Sequence, residues 1–193
     1  MSRVLVRVAL IVMVFMVSGC AGGRSRWGNG APLLTTGDQE SIFVLEKTVI
    51  GAPYLFGSDV VCLDRKGEVR VVSVGFEGGA GSGMAVQAFT FRPFYASLGT
   101  AGVRPGDPRT LARRGLSVNH TVAQTCAPEG DVREEFAEWV VQAVRTGPRT
   151  GYSPALRMTY LSGGRTHVLR VPFGIRMCGE NDAHAAGCAK DRS

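Results

Sequence analysis

An all-β body of antiparallel strands is what the sequence predicts, and three observations predict it. Residues 68–76 and 84–92 alternate in polarity on either side of a glycine-rich connection. Residues 155–161 and 166–177 alternate around Ser162-Gly163-Gly164-Arg165, the composition of a tight hairpin turn. The remaining apolar runs are short, rich in β-branched residues and bounded by Gly, Pro or Asp, which is the pattern of strands. One short helix is expected beside them.

Taken in order, residues 41–50 form an apolar, β-branched run that ends at Gly51-Ala52-Pro53 and read as a strand. Residues 59–63 read as a second, closed by the turn chemistry of Asp64-Arg65-Lys66-Gly67. In residues 68–76, Val69, Val71, Ser73 and Gly75 oppose Arg70, Val72, Val74 and Phe76. In residues 84–92, Val86, Ala88, Thr90 and Arg92 oppose Ala85, Gln87, Phe89 and Phe91. The two runs are expected to pair as a hairpin. The glycines between them lack the Lys-Ser/Thr ending and the following helix of a phosphate loop, so they read as the hairpin's connection. Residues 94–106 carry no regular pattern.

The short helix is expected over residues 107–115. Asp107 suits the cap, Pro108 the first helical position, Arg113 and Arg114 the negative end of the dipole, and Gly115 the left-handed stop. Residues 116–126 alternate as another strand. Residues 134–146 fit two templates. Phe136, Trp139, Val140, Ala143 and Val144 share a helical face, yet Trp139-Val140-Val141-Gln142-Ala143-Val144 is rich in strand formers and lies among strands. The stretch is read as a strand.

The amino-terminal residues bear on location. Arg3 and Arg7 precede an uncharged apolar run of ten residues, 8–17, followed by Ser18-Gly19-Cys20. That run is too short for a membrane span, which needs roughly 20 residues, and has the length of a signal core. Val17-Ser18-Gly19-Cys20 resembles the lipobox of bacterial lipoproteins. The resemblance implies removal of residues 1–19, lipid on Cys20 and an extracytoplasmic body anchored to the cell membrane. Stable anchoring takes two or more acyl chains, since one gives only marginal binding. Residues 20–38 are then anchor and flexible tether, being glycine-rich and without apolar periodicity, residues 39–178 a β-sandwich domain, and residues 179–193 a carboxyl-terminal tail.

Of the five cysteines, Cys20 is taken by lipid and four remain. An even set in an exported domain points to two disulfides, with three pairings allowed. Cys62 with Cys126 and Cys178 with Cys188 is the expected arrangement, the second closing a short tail loop.

The formal charge of +6 falls to +4 without Arg3 and Arg7. No run of basic residues exceeds two, which gives none of the patch with interleaved aromatics that nucleic acid requires. No metalloprotease, serine-hydrolase or β-lactamase motif occurs. Cys178, His184 and Cys188 supply three metal-ligand types, but an exported cysteine pair is more simply a disulfide. Glu134, Glu135 and Glu138 read as a solvated edge rather than a glycosidase pair. Met84, Met158 and Met177 read as core, and so does Trp139.

The run from Trp139-Val140-Val141-Gln142, through Thr146-Gly147-Pro148 and Tyr160-Leu161-Ser162-Gly163-Gly164-Arg165, to Val171-Pro172-Phe173-Gly174-Ile175-Arg176-Met177-Cys178 resembles a group of actinobacterial lipoproteins. The resemblance covers the last third well and the middle loosely. It implies an immunoglobulin-like antiparallel β-sandwich and brings no catalytic or ligand residues. The expected function is a non-catalytic binding or structural module of the cell envelope, without cofactor or metal. Its partners are the membrane, through the lipid, and an envelope protein or glycan. Phe91, Arg92, Phe94 and Tyr95, at a strand end broken by Pro93, form the candidate recognition edge. The rival functions are an extracytoplasmic enzyme with an unrecognised acid–base pair and a metal carrier.

Overall fold

The computed structural model describes residues 32–35, 41–95, 102–126, 135–182 and 187–188. Residues 1–19 and Cys20 lie outside them, as do Glu134 and His184. The described residues are all-β. Their strands are β1 (Leu33–Thr35), β2 (Ser41–Leu45), β3 (Pro53–Leu63), β4 (Val69–Phe76), β5 (Met84–Tyr95), β6 (Thr121–Val122), β7 (Glu135–Arg145), β8 (Gly151–Ser153), β9 (Leu156–Ser162), β10 (Arg165–Val171) and β11 (Phe173–Met177). They form a sheet of order β1-β3-β7-β5, a sheet of order β10-β9-β4-β6 and a smaller sheet of order β2-β11-β8. Every pairing between strands is antiparallel except β2 with β11.

One core joins the three sheets. Tyr54, Phe56, Phe89, Phe91, Trp139 and Val141 from the first meet Val69, Val71, Val74, Phe76, Leu156, Met158, Tyr160 and Leu169 from the second, with Phe173, Ile175 and Met177 from the third. Trp139, Met84, Met158 and Met177 are all buried, as their strand positions require. Residues 135–145 are a strand because their β-branched and aromatic side chains fill both faces of a central ladder. Ala137, Trp139, Val141 and Ala143 turn into the main core. Val140 turns the other way, into a second cluster with Leu55, Val103 and Leu111. Residues from 103 to 116 thus cover the outer face of the first sheet.

Several expectations are corrected. Residues 68–76 and 84–92 do not pair with one another: β4 pairs with β9 and β6, and β5 with β7. The glycine-rich connection carries the chain from one sheet to the other through a 3-10 turn at Gly79–Ser82, with left-handed φ at Gly78, Gly79 and Gly83. Both strands have an apolar inner face, and facing each other across the core buries both. The strict alternation expected in β4 breaks at a bulge between Val71 and Ser73, so Val69, Val71, Val74 and Phe76 are buried together.

The expected helix over residues 107–115 is only a 3-10 turn at Ala112–Arg114. The Asp107 carboxylate does not cap it. It accepts from the Arg109 backbone N–H and pairs with the Arg109 and Arg114 guanidinium groups, while Gly115 takes the left-handed stop at φ 72°. Residues 116–126 give only the two-residue β6, and the rest bonds irregularly. Phe91 donates to the Asn119 carbonyl and Val71 to that of His120, so this segment bridges β5 and β4. Residues 166–177 are two strands, because Pro172 has no N–H for a ladder; β10 stays in the second sheet and β11 joins the third. Residues 41–50 give a strand only to Leu45, and the second strand begins six residues earlier than residue 59, at Pro53.

Candidate functional site

Phe91, Arg92, Phe94 and Tyr95 all lie on β5, opposite Trp139, Glu138, Phe136 and Glu135 of β7. Phe91, Arg92 and Phe94 do not present one surface, and the Tyr95 side chain lies outside what is described. Phe91 is 3% exposed and belongs to the core, and Phe94 is half-buried. Arg92 turns outward from the core but is engaged by Glu138, its Nε donating to Oε2 of a carboxylate that is fully buried. The same carboxylate accepts the Val103 N–H through Oε1 at 2.8 Å. Glu138 is therefore not on a solvated edge: it ties the covering segment to the first sheet. Gly57 makes room for it, since a Cβ there would stand 2.7 Å from Glu138 Oε1 and 2.9 Å from the Val103 carbonyl oxygen.

The cysteines pair as expected. Cys62 bonds Cys126 and Cys178 bonds Cys188. A disulfide sulfur is not a thiolate, so neither tail cysteine is a metal ligand in this oxidised state. No group of three or more metal-binding side chains is found among the described residues. His120 stacks on Phe89 and His167 on Tyr160, at 4.3 and 5.2 Å between ring centres. Both are packing contacts on an aromatic face.

A different place gathers charge, burial and backbone strain. An open cleft of about 370 Å³ is lined by residues 47–50, Arg145, Pro148 and residues 179–182. Arg145 ends β7 and is 5% exposed. Its Nη1 donates to the carbonyls of Gly147 and Pro148, both at 3.0 Å, and its Nη2 to that of Thr48 at 2.7 Å. Its Nε, itself closed off from solvent, has no hydrogen-bond partner among the described residues. The polypeptide at Gly179 lies flat against the guanidinium, where a Cβ would approach both Nη atoms to 3.0 Å.

Asp182 fixes the opposite wall. Its Oδ2 accepts the Gly179 N–H at 2.8 Å and the Thr150 hydroxyl at 2.7 Å. The Gly179 N–H first, then the Thr150 hydroxyl and the charge of Arg145, hold its carboxyl below the usual carboxylate range. The Cys178–Cys188 bond pins the same segment, and Thr48 secures it by donating both N–H and hydroxyl to the Cys178 carbonyl at 2.8 Å. Lys47, on the rim, is the one non-glycine residue with left-handed φ among the described residues, at 55°. Such a conformation costs of order 1 kcal/mol or more and persists only where its surroundings enforce it.

None of this was marked in the sequence. Arg145 reads there as a basic residue closing an apolar strand before Gly147-Pro148, and Lys47 as part of a strand.

The cleft stands at one end of the first sheet. β3 starts there, with Pro53 opposite Val144 and the Gly51 N–H bonded to the Arg145 carbonyl. It ends, 11 residues along, where Leu63 pairs with Leu33 and the Asp64 N–H bonds the Pro32 carbonyl. At roughly 3.3 Å per strand residue the two ends are about 30 Å apart. The chain thus enters the described body at the end remote from the cleft. Comparison with protein families, curated proteins and solved structures finds no match.

Proposed function

We propose that this chain is a lipid-anchored extracytoplasmic binding module that holds its cleft away from the membrane. The observation that carries the reading is the opposition just described: Pro32, on the Cys20 side of the chain, lies at one end of β3 and the Arg145 cleft at the other. A tethered receptor needs that polarity, with its attachment on the near side and its ligand site on the far side. Two disulfides support an oxidising location. The lipobox resemblance supports cleavage before Cys20 and acylation of its thiol. Within this reading the two four-stranded sheets are the layers of an immunoglobulin-like sandwich, supported by their common core around buried Trp139. The module is non-catalytic and works by retaining an envelope protein or glycan.

The test is to express the full chain and its Cys20→Ala form in a bacterial host with a lipoprotein pathway. The natural form is expected in the membrane fraction, labelled by radioactive palmitate, and to retain an envelope component on pull-down. The Cys20→Ala form is expected to lose label, membrane association and retention. A soluble, unlabelled natural form, or retention indistinguishable from the variant's, overturns the proposal.

A further inference from the structure

We infer that the Arg145 cleft binds a ligand through a carboxylate, and that the ligand carries a hydrogen-bond donor next to it, as a free amino acid and the carboxyl end of a peptide both do. This rests on the binding-module reading above.

The Arg145 charge is met by no carboxylate hydrogen bond among the described residues. A guanidinium withdrawn from water is normally met by a carboxylate, because neutral partners replace only part of its hydration. Arg145 is buried and meets three carbonyls instead. Asp182 acts on it through charge, but its own hydrogen bonds go to Gly179 and Thr150. A guanidinium has five N–H donors, and a carboxylate taken side-on uses Nε–H with one N–H of the adjacent terminal nitrogen. Nη1 spends both of its donors and Nη2 one, while Nε–H, closed off from solvent, is unpaired among the described residues. A carboxylate that displaces the backbone covering the guanidinium at Gly179 would supply that acceptor.

Lys47 adds a second cation on the rim, on a strained backbone of the kind found where a ligand is held. Glu180 and Asp182 line the same cleft, so a multiply charged anion such as a phosphate meets repulsion there. A ligand with one carboxylate and a donor group suits both signs. The cleft is of the size small-ligand sites have, a few hundred Å³. Asp182 and the Cys178–Cys188 bond hold its wall before any ligand arrives, which lowers the ordering cost of binding.

The experiment uses residues 20–193 with both disulfides formed and the Cys20→Ser substitution, labelled with nitrogen-15. Acetyl-alanyl-alanine, its carboxyl-terminal amide and free alanine are titrated separately, and the Arg145 Nε–H signal and the backbone signals of Lys47, Thr48 and Gly179 are followed. The peptide acid is expected to move these signals saturably and the amide to bind at least tenfold more weakly. Free alanine binding as tightly as the peptide acid identifies an amino-acid site; tighter peptide binding identifies a chain-end site. Lys47→Gln, an exposed change, is expected to weaken binding several-fold without altering the melting temperature. Gly179→Ala, which sets a Cβ against the guanidinium, is expected to abolish it. Equal binding of acid and amide, or no movement of cleft signals by any of the three, overturns the inference. If that failure coincides with partner retention by the lipidated chain, only the carboxylate assignment falls; if retention fails as well, the binding-module reading falls with it.

Discussion

A carboxylate buried in the middle of a sheet is tolerated only where its charge and lone pairs are met, and Glu138 satisfies both conditions with Arg92 and the Val103 N–H. Removing one partner of such a pair strands the other, at about 3 kcal/mol or more. Glu138→Ala is therefore expected to lower unfolding stability by about 3 kcal/mol and to release residues around Val103, read as faster amide exchange there. Unchanged stability would show the tie to be idle. Asp182 supplies a second expectation, in pH. Its folded carboxyl titrates below its ordinary range because Gly179 and Thr150 donate to it. A lowered folded value means that its contribution is present above the unfolded pKa, about 3.9, and is lost as pH falls through the folded value. The Gly179 amide should keep its protection, taken relative to the intrinsic exchange rate at each pH, through neutral pH and begin to lose it below about pH 4. In Asp182→Asn the acid-induced step should vanish. An identical step in the variant would assign it to another group.

Among elements, legibility followed how local the deciding interaction was. The β9–β10 hairpin was readable because Gly163 and Gly164 take left-handed φ in the turn and the register Ser162 to Arg165 follows from it. The partners of β4 and β5 were not readable. Glycine-rich connections permit a hairpin and a crossing between sheets equally, and the choice is made by the core. The 3-10 turn at Ala112–Arg114 had every local helix signal except length, and Asp107 found better partners in Arg109 and Arg114. Arg145 and Lys47 carry no local signal for the same reason, since their meaning arises from contacts with residues far along the chain. The cysteine pairs were readable as a set, and their unequal loops make a prediction. Cys62 and Cys126 are 64 positions apart, Cys178 and Cys188 only 10. In the chain-entropy picture these spans correspond to about 4 and about 3 kcal/mol. Cys62→Ser/Cys126→Ser should lower the denaturant midpoint more than Cys178→Ser/Cys188→Ser. The second pair alone should raise amide exchange at Gly179 and Asp182. The reverse order of midpoints would mean that the tail loop, not the long one, carries the larger share.

For the whole molecule, the deciding property is polarity along β3. Eleven residues, 21–31, lie between Cys20, the proposed lipidation position, and Pro32. With Cys20 acylated as proposed, this span reaches about 40 Å at full stretch, which would keep the end bearing Pro32, Arg65 and Lys66 near the bilayer. The cleft end is a further 30 Å or so away along the strand. That difference survives rotation of the body on its tether, because the attachment end is always the nearer one on average. It can be read without new cysteines, by placing the lipidated chain in nanodiscs that carry a gadolinium-chelating lipid. Paramagnetic broadening falls steeply with distance, so the amides of Arg65, Lys66 and Gly67 should broaden strongly and those of Val49, Ile50 and Gly179 little. Equal broadening would mean that the body lies flat with both ends at the surface, and the cleft could not then be the outward-facing site. Stronger broadening at Val49 and Ile50 would turn the molecule over and make lipid itself the first ligand to consider for Arg145.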